Sequence, residues 1–326
     1  AGRYGMIENI DDNFGRMMEQ LAAWQALDNT LVIFMTDNGP QQVRYVSGMR
    51  GRKSSVYRGG IRVPFFMRYP AKFKDNQDMD QMAAHIDLLP TLSKLCAAPM
   101  PQDRKIDGRS FLPALQNETL PERSFFSYWT RKFPELYNNV ALQKGEYKLV
   151  GKTDFDASLQ EFELYNLRED PYEKINIVGQ EREKASSLKS EMDELISELS
   201  SSPNLVNPPL IQVGTPNENP VYLNRNDAGG QRGVWNQEEI YSFWKVDLQK
   251  GVYDLKFKFL KPLDGGGDLF LEMGQNIKRK QHLEDEKDEL IWRNVALPAG
   301  AFDFTPFYRK GRKSIFPLWV EIQKVE

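Results

Sequence analysis

The chain has 326 residues, of which 40% are hydrophobic and 27% are charged, and its formal net charge is -3. This length suggests two or three domains, each able to bury a core, and the composition is that of a folded globular protein rather than a disordered or fibrous one. The small net charge and a pI near 5.7 provide no basic field for nucleic acid or for an anionic membrane.

The ends of the chain and its cysteine content restrict the possibilities further. No apolar run approaches the ~20 residues that a membrane-spanning helix needs, and no charged-then-apolar leader precedes the first residue. The helical spacing of apolar residues is already present at Met6 and Ile7. We therefore expect the chain to begin just before an internal helix, with amino-terminal sequence absent. The single cysteine, Cys96, excludes a disulfide framework. Its place at the end of an apolar helix predicts a buried structural thiol.

The first element is an amphipathic helix followed by a strand. Six apolar residues recur at alternating spacings of three and four, which places them on one helix face and predicts that this face packs on something large. Asp28-Asn29 then interrupts the pattern, and the apolar run Thr30–Met35 predicts a strand covered on both faces, as in a parallel sheet. The helix stripe consists of Ile7, Ile10, Phe14, Met17, Leu21 and Trp24.

A long polar loop and three further segments complete this region. Residues 37–62 contain five glycines and precede a predicted strand at Val63–Met67. A long polar loop that leaves a buried strand is where α/β folds carry their chemistry. A helix is predicted from Asp87 to about Ala97, with Pro90 tolerated near its first turn. Residues 98–122 contain four prolines and are interpreted as a segment that crosses between domains.

The second half of the chain has two different patterns. Strand-like stretches at 124–129, 139–143, 147–150 and 162–167 and a helix at 181–199 predict a small antiparallel sheet with one helix, in which Gly145 makes a hairpin turn. Five prolines in residues 201–220 predict a linker. Beyond it, the alternation in Tyr253–Phe259 and a glycine-dense turn predict a β-sandwich. The predicted domains are residues 1–115, 116–202 and 203–326.

The tripeptide after the first predicted strand is a candidate metal site. Asp37 and Asn38 follow the buried strand directly, and Gly39 lets the chain turn. A carboxylate beside an amide carbonyl supplies the hard oxygen ligands that suit Ca²⁺ or Mg²⁺. The alternative is an ordinary turn, because Asp-Asn-Gly is also among the commonest turn sequences.

The next segment sets several cations in a glycine-permissive loop. Residues 50–64 contain Arg50, Arg52, Lys53, Arg58 and Arg62. Cations beside a metal site imply an anionic substrate such as a sulfate or phosphate ester, because both stabilise charge on the transferring group. For most of these side chains, taken singly, a solvated loop remains the simpler interpretation.

Three ordered motifs in this region resemble the sulfatase family. At family-like spacing they are far more specific than Asp-Asn-Gly alone, and the likeness extends over about residues 1–200 through the first helix and several later blocks. The motifs are Asn29–Pro40, then Arg50-Gly51-x-Lys53, then Gly59-Gly60-x-Arg62-Val63-Pro64. The further sulfatase-like blocks are Tyr4–Gly15, His85–Leu92, Asp107–Ser110 and Glu163–Pro171.

The resemblance implies a fold and roles for particular residues. It implies an alkaline-phosphatase-like α/β domain, here in part, followed by the small α+β subdomain and the all-β sandwich. Asp37 and Asn38 correspond to two metal ligands, usually for Ca²⁺ in this family, and Lys53 corresponds to a residue that contacts the sulfate oxygens. The family's nucleophile is a formylglycine made from Cys or Ser in a C/S-x-P-x-R motif, which this chain lacks, so it is expected upstream.

The histidines and the aromatic residues of the terminal module have less specific interpretations. His85 lies in a block where the likeness suggests a scaffold, and His282 precedes a charged stretch that is most simply a solvated loop. Trp235, Trp244 and Tyr241 lie within ten residues of one another. They either form the core of the sandwich or stack on sugar rings.

These observations together predict a sulfuric ester hydrolase that uses a divalent metal on aryl or glycan sulfates. The chain as given is expected to be inactive alone. The alternatives are a phosphoester or phosphonate hydrolase of the same superfamily, and a non-catalytic glycan-binding or scaffolding fragment. A sulfated small molecule or glycan is the predicted partner, with no nucleic acid and no membrane span, and the oligomeric state stays open. The resemblance implies a periplasmic or secreted location.

Overall fold

The structure, a computed structural model, describes residues 2–74, 76–130, 136–153 and 157–326. By its internal contacts the chain divides into two compact units, which meet in sequence between Ser197 and Glu198. The first unit contains the motif-bearing region and the small antiparallel sheet. The division into residues 1–115 and 116–202 within it stays a prediction.

Over its described residues, the first unit has four helices and six strands, with short 3₁₀ turns between them. The elements are α1 (Gly2–Ala23), β1 (Val32–Met35), α2 (Arg58–Ile61), β2 (Phe65–Arg68), α3 (Leu88–Leu95), β3 (Ser124–Tyr128), β4 (Asn138–Lys144), β5 (Tyr147–Lys152), β6 (Glu163–Asn166) and α4 (Arg182–Ser200). Helix α4 ends three residues past the point where the two units meet. Apart from α2, which lies in the predicted polar loop 37–62, their order and type agree with the sequence predictions.

The prediction that strand β1 is covered on both faces is wrong. Its partner is β2, which runs antiparallel to it, and of its four residues only Val32 is buried. The apolar stripe of α1 is largely exposed as well, and in the described residues its ring contact with the strand is Phe14 on Phe34, 6.1 Å between centroids. A continuous apolar run does not distinguish a strand buried on two faces from one with an uncovered face.

The small sheet and its helix form the main core of the first unit. Strands β3, β4, β5 and β6 are antiparallel neighbours in chain order, and Gly145, with φ 55°, turns the β4–β5 hairpin as predicted. One face of α4 presents Ala185, Leu188, Met192 and Ile196 to Leu142, Leu149, Phe162 and Leu164 of this region. Spacing of three and four residues along α4 is the reason that one face can be apolar.

From residue 198 onward, where every residue is described, the second unit contains one short helix and eleven strands. They are α5 (Pro203–Val206), β7 (Ile211–Val213), β8 (Val221–Asn224), β9 (Gly229–Gly230), β10 (Ser242–Leu248), β11 (Gly251–Leu263), β12 (Gly267–Met273), β13 (Asn276–Leu283), β14 (Lys287–Leu297), β15 (Gly300–Lys310), β16 (Lys313–Ile315) and β17 (Trp319–Lys324). One sheet has the order β13-β12-β15-β10-β7, joined by β16 and β9, and the other has the order β14-β11-β17-β8.

The two sheets enclose a single apolar core, which confirms the predicted sandwich. Tyr253, Leu255, Phe257 and Phe259 alternate inward along β11, as their period of two requires. Trp244 and Trp292 are fully buried in the same core. The predicted linker 201–220 extends too far, because Ile211–Val213 already pairs with β10.

Two smaller findings concern the cysteine and the helices. The prediction that Cys96 is buried is wrong: the residue caps the carboxyl end of α3 and is exposed. The buried positions of α3 are the polar Thr91 and Ser93, so the apolar appearance of this short helix did not indicate its buried side. None of the helices in the described ranges is both long enough and apolar enough to cross a membrane.

Candidate functional site

The turn Thr36–Gly39 leaves the end of β1 and is held against the glycine-rich loop. The Gly39 amide donates to the Gly60 carbonyl at 2.8 Å. A Cβ on Gly39 would lie 1.8 Å from the Gly59 oxygen, so only glycine allows this approach of two main chains. The Asp37 side chain is exposed, and the Asn38 side-chain amide donates to its Oδ1 at 2.9 Å.

Lys53 belongs to the same arrangement through its main chain. Its amide donates to the Pro40 carbonyl at 3.0 Å, one residue past the Asp37-Asn38-Gly39 turn, and its side chain is exposed. The structure therefore brings the three predicted site residues into two adjoining segments, 36–40 and 53–60. Sequence spacing alone did not establish that these segments touch.

His85 lies beside the turn, and Asp87 organises the surrounding block. His85 Nε2 is 3.3 Å from the Thr36 carbonyl. The buried Asp87 carboxylate accepts hydrogen bonds from the amides of Ala84 and Arg109, both at 2.8 Å, and from the Arg123 guanidinium. A buried carboxylate is tolerated when several donors satisfy it. The block thus ties α3 to the Asp107–Ser110 segment, which is a scaffolding role.

A network of charged and phenolic groups fastens the loop to the small sheet. The Arg50 guanidinium donates to the Tyr165 hydroxyl at 2.5 Å and to Glu163 at 3.3 Å, and it lies 4.0 Å above the Tyr57 ring. The Tyr57 hydroxyl donates to Glu163. Burial alone would raise the pKa of Glu163, but hydrogen bonds from Tyr57 and Tyr165 and the charge of Arg50 hold that pKa below its ordinary value.

Sequence reasoning missed three side chains that hold the same loop from the other side. Asn139 bonds to the main chain of Ser54 and Val56, Lys148 bonds to the Val56 carbonyl, and Glu173 accepts from the Arg58 amide. The only sequence signal was that Glu173 follows the sulfatase-like block Glu163–Pro171. Nothing in the pattern of β4 or β5 distinguishes Asn139 or Lys148 from solvent-facing strand residues.

The described residues do not make a complete cation site. Ca²⁺ takes about six to eight oxygen ligands, and Asp37 and Asn38 supply two side chains. Outside the masked positions, no group of three or more His, Cys, Asp or Glu residues is placed to hold a metal ion. The Asn38 side-chain nitrogen, which cannot bind a cation, is the atom that faces the Asp37 carboxylate. No chemical step is therefore derived through a metal.

Two protein families match the region that contains these segments. The sulfatase family matches residues 1–98, and the carboxy-terminal family of N-sulphoglucosamine sulphohydrolase matches residues 52–202. The two matches overlap across the loop that carries Lys53 and together span the first unit. These matches assign residues 1–202 to the sulfatase family.

Several curated relatives are sulfatases. The chain is 29% identical over 225 residues to N-acetylgalactosamine-6-O-sulfatase of Bacteroides thetaiotaomicron, which covers 60% of this chain and 43% of that protein. It is 31% identical over 194 residues to human arylsulfatase A, covering 52% of this chain and 38% of the relative. The chain thus spans less than half the length of the curated relatives that it matches.

A solved structure shows the same fold. The crystal structure of Ps i-CgsB in complex with k-i-k-neocarrahexaose has a TM-score of 0.52 with 23% identity, and the match covers 59% of this chain and 42% of that one. At this identity the likeness concerns the fold. It agrees with the α/β sulfatase class that the motifs predicted.

Proposed function

We propose that this chain is part of a hydrolase of sulfate esters and that Asp37, Asn38 and Lys53 contribute to its active site. The observation that carries the proposal is the direct hydrogen bonding between the turn 36–40 and the loop 53–60, which places a carboxylate, an amide and an ammonium on adjoining segments. Cationic and metal-bound groups stabilise the charge that develops on a transferring sulfuryl group.

In this proposal each residue has one role. Lys53 binds sulfate oxygens, and Asp37 and Asn38 are two of the ligands of a divalent cation, Ca²⁺ or alternatively Mg²⁺, whose other ligands lie outside the described residues. The nucleophile is a formylglycine supplied upstream, since no C/S-x-P-x-R motif occurs in the 326 residues. A secreted or periplasmic location is part of the same proposal. A phosphoester hydrolase with this scaffold is the alternative, and the upstream nucleophile segment distinguishes the two.

The substrate class proposed is a sulfated glycan. Supporting it are the names of the relatives, which include N-acetylgalactosamine-6-O-sulfatase from Bacteroides thetaiotaomicron and human N-acetylgalactosamine-6-sulfatase, 34% identical over 134 residues, 39% of this chain and 26% of that protein. Since these matches cover less than half of each relative, the activity of the whole protein and its sulfated sugar remain proposals for this chain.

Replacing Lys53 by alanine is expected to weaken the binding of inorganic sulfate to the chain about tenfold or more. The reason is that a hydrogen bond to a charged group contributes about 1.5–3 kcal/mol. Isothermal titration with sulfate measures the dissociation constant. Turnover of a chromogenic aryl sulfate by the same polypeptide, with Ca²⁺ present, is expected to be negligible.

Arg52→Ala is the matched control, because Arg52 is an exposed cation in the same loop. It is expected to leave the sulfate affinity within about twofold, because the proposal assigns the contact with sulfate oxygens to Lys53 and none to Arg52. An equal loss of sulfate affinity in the two variants would mean that the loop attracts sulfate only through its general positive charge and that Lys53 has no specific contact. Unchanged affinity in Lys53→Ala would refute the role of Lys53, and robust turnover would refute the dependence on an upstream nucleophile.

A second candidate function concerns the sandwich unit, for which we propose glycan binding by the loop 231–241, between β9 and β10. Trp235 and Tyr241 are 42% and 55% exposed, whereas Trp244 from the same sequence cluster is core. The Trp235 indole donates to the Asn226 side chain at 3.3 Å, which orients the ring. Exposed aromatic faces with fixed polar neighbours suit the stacking of sugar rings.

Affinity electrophoresis in gels that contain sulfated or neutral polysaccharide tests this second function. The chain is expected to be retarded by at least one polysaccharide, and the double variant Trp235→Ala/Tyr241→Ala is expected to lose most of that retardation. Tyr222→Ala is a suitable control, because Tyr222 is 54% exposed but lies on strand β8. Absence of retardation with every polysaccharide, or an equal loss in the control, would contradict binding by this loop.

A further inference from the structure

The segment 53–58 has its main chain held by three side chains from another part of the first unit. Asn139 Nδ2 donates to the Ser54 carbonyl at 2.9 Å, and its Oδ1 accepts from the Val56 amide at 3.2 Å. Lys148 Nζ donates to the Val56 carbonyl at 2.7 Å. Glu173 Oε2 accepts from the Arg58 amide at 2.7 Å. We call Asn139, Lys148 and Glu173 the clamp.

Asn139 reaches the loop because the strand is irregular at this point. The β4–β5 register shifts between Asn138 and Val140, and Asn139 itself has a φ of 63°. Irregularities of this kind re-aim a side chain and are frequent next to active sites, and asparagine tolerates the left-handed region better than most residues. The Asn139 carboxamide therefore points at the loop and imitates a strand partner for Ser54 and Val56.

Lys148 and Glu173 form the second half of the clamp. Both side chains are fully buried, and Lys148 Nζ lies 2.5 Å from Glu173 Oε1. A buried ion pair is by itself weak support for stability, since desolvation offsets most of the attraction. The contribution of this pair is to position the loop: Lys148 donates to the Val56 carbonyl and Glu173 accepts from the Arg58 amide. Its contacts with the main chain thus fix where the loop runs.

The loop has a local conformation that needs such support. Ser54 has a φ of 69°, which costs a non-glycine residue free energy and persists only where the surroundings determine it. Ser54 follows Lys53 directly, and the Lys53 amide is bonded to the Pro40 carbonyl. Any drift of Ser54–Val56 is therefore transmitted to the contact between Lys53 and the turn 36–40.

We propose that the clamp is a set of positioning residues that holds Lys53 against the Asp37-Asn38-Gly39 turn. This inference rests on the proposed function of Lys53 as the group that binds sulfate oxygens. None of the three clamp side chains needs to touch the substrate. They act by restricting the main chain on both sides of Ser55. The Cα of Lys53 is thereby held in one position, which limits where its ammonium group can lie. Binding a small anion with fixed groups avoids the entropy cost of ordering a mobile loop.

Asn139→Gly tests the clamp with little change to the backbone. Glycine accepts a φ of 63° without strain, so this variant removes the carboxamide and keeps the bulge. Asn117→Gly is the matched control: Asn117 also has a left-handed φ, 64°, but it is exposed and ends the 3₁₀ turn Ala114–Gln116 instead of holding the loop. Hydrogen exchange of the chain, followed by mass spectrometry, and titration with inorganic sulfate are the two measurements.

The amide of Lys53 is the decisive probe, because it bonds to Pro40 and not to Asn139. Asn139→Gly is expected to speed its exchange roughly tenfold and to weaken sulfate binding several-fold, as loss of the two hydrogen bonds that hold the loop predicts. The variant also removes the bond from Asn139 Nδ2 to the Trp129 carbonyl at 3.1 Å, which lies outside the loop. Asn117→Gly is expected to change neither exchange at Lys53 nor sulfate binding. If Asn139 had a purely structural role, Asn139→Gly would lower the global stability but would neither speed exchange selectively at Lys53 nor change the sulfate affinity. This result would overturn the proposal.

The outcome also separates the clamp from the proposed function. If Lys53→Ala leaves sulfate binding unchanged while Asn139→Gly still frees the Lys53 amide, the clamp holds the loop and the proposed role of Lys53 is wrong. If Lys53→Ala weakens sulfate binding and Asn139→Gly affects neither measurement, the clamp is not a positioning device.

Discussion

Replacing Lys148 by methionine is expected to destabilise the first unit by about 3–5 kcal/mol, the range for breaking a buried ion pair at one partner. Methionine fills much of the volume of lysine but leaves the buried Glu173 carboxylate without its charged neighbour and the Val56 carbonyl without its donor. Since the free energy of unfolding of many domains is only about 5–15 kcal/mol, this single change removes a large part of it.

Denaturation in urea, followed by circular dichroism at 222 nm, measures the effect. The signal reports mainly the first unit, because α1, α3 and most of α4 lie there and the second unit consists of strands and one short helix. The double variant Lys148→Met/Glu173→Gln is the control. This double variant removes the buried carboxylate charge, and the side-chain carbonyl of the introduced glutamine can still accept from the Arg58 amide. It is therefore expected to recover about half of the stability lost in Lys148→Met. A loss below about 1 kcal/mol in Lys148→Met would contradict the assignment.

Replacing Arg225 by methionine is expected to destabilise the second unit by about 4 kcal/mol or more. The Arg225 guanidinium is fully buried, and its bonds run to main-chain carbonyls rather than to a carboxylate. Its partners are Pro317 at 3.0 Å, Val234 at 2.9 Å, and Gln237 and Phe316, both at 2.7 Å. The bonds to Pro317 and Phe316 are buried, and each buried carbonyl left without a donor costs about 1–3 kcal/mol. Burial lowers the pKa of Arg225, which expresses the same desolvation.

Tryptophan fluorescence measures this second loss, since Trp244 and Trp292 are buried in the sandwich core. Arg225→Lys retains the charge but not the planar fork that reaches several acceptors, so it is expected to recover less than half of the stability. Arg312→Met, at an exposed turn position, is expected to stay within about 0.5 kcal/mol of the wild type. A cooperative transition unchanged in Arg225→Met would refute the structural role of the guanidinium.

The effect of Arg225 extends to the loop that carries Trp235. Two of its four bonds go to the carbonyls of Val234 and Gln237, on either side of the exposed ring. A rigid loop on a sheet scaffold is the usual support for a binding surface. The proposed glycan binding therefore depends on Arg225, a fully buried residue that does not itself contact the glycan.

The sequence predicted the elements that depend on local patterns. The period of two in β11, the glycine hairpin between β4 and β5 and the three-and-four spacing of α4 were all recognisable, because each reflects the geometry of a single element. The sulfatase motifs were recognisable for a different reason, since their glycines and charged residues occur at fixed offsets. The Asp37, Asn38 and Lys53 assignments follow from those offsets and stay predictions.

The same patterns failed where burial depends on a distant neighbour. The run Thr30–Met35 predicted a strand but not that its described partner is antiparallel, and the apolar flank of Cys96 predicted burial for an exposed thiol. Apolar composition indicates what a segment can bury and does not indicate what lies opposite. Prolines in 201–220 similarly suggested a linker through Ile211–Val213, because an edge strand of three residues is too short to have a period.

The sequence by itself determined the family resemblance, most of the helices and strands of the first unit, and the segments that carry the candidate site. Only the tertiary structure decided that the Lys53 loop is clamped by Asn139, Lys148 and Glu173, and that Arg225 fixes the loop of the sandwich. The physical reason is that these contacts join residues up to 115 positions apart through single side chains that bond to main-chain atoms. Such bonds leave no periodic trace in the sequence, since one asparagine or one lysine is enough to make them.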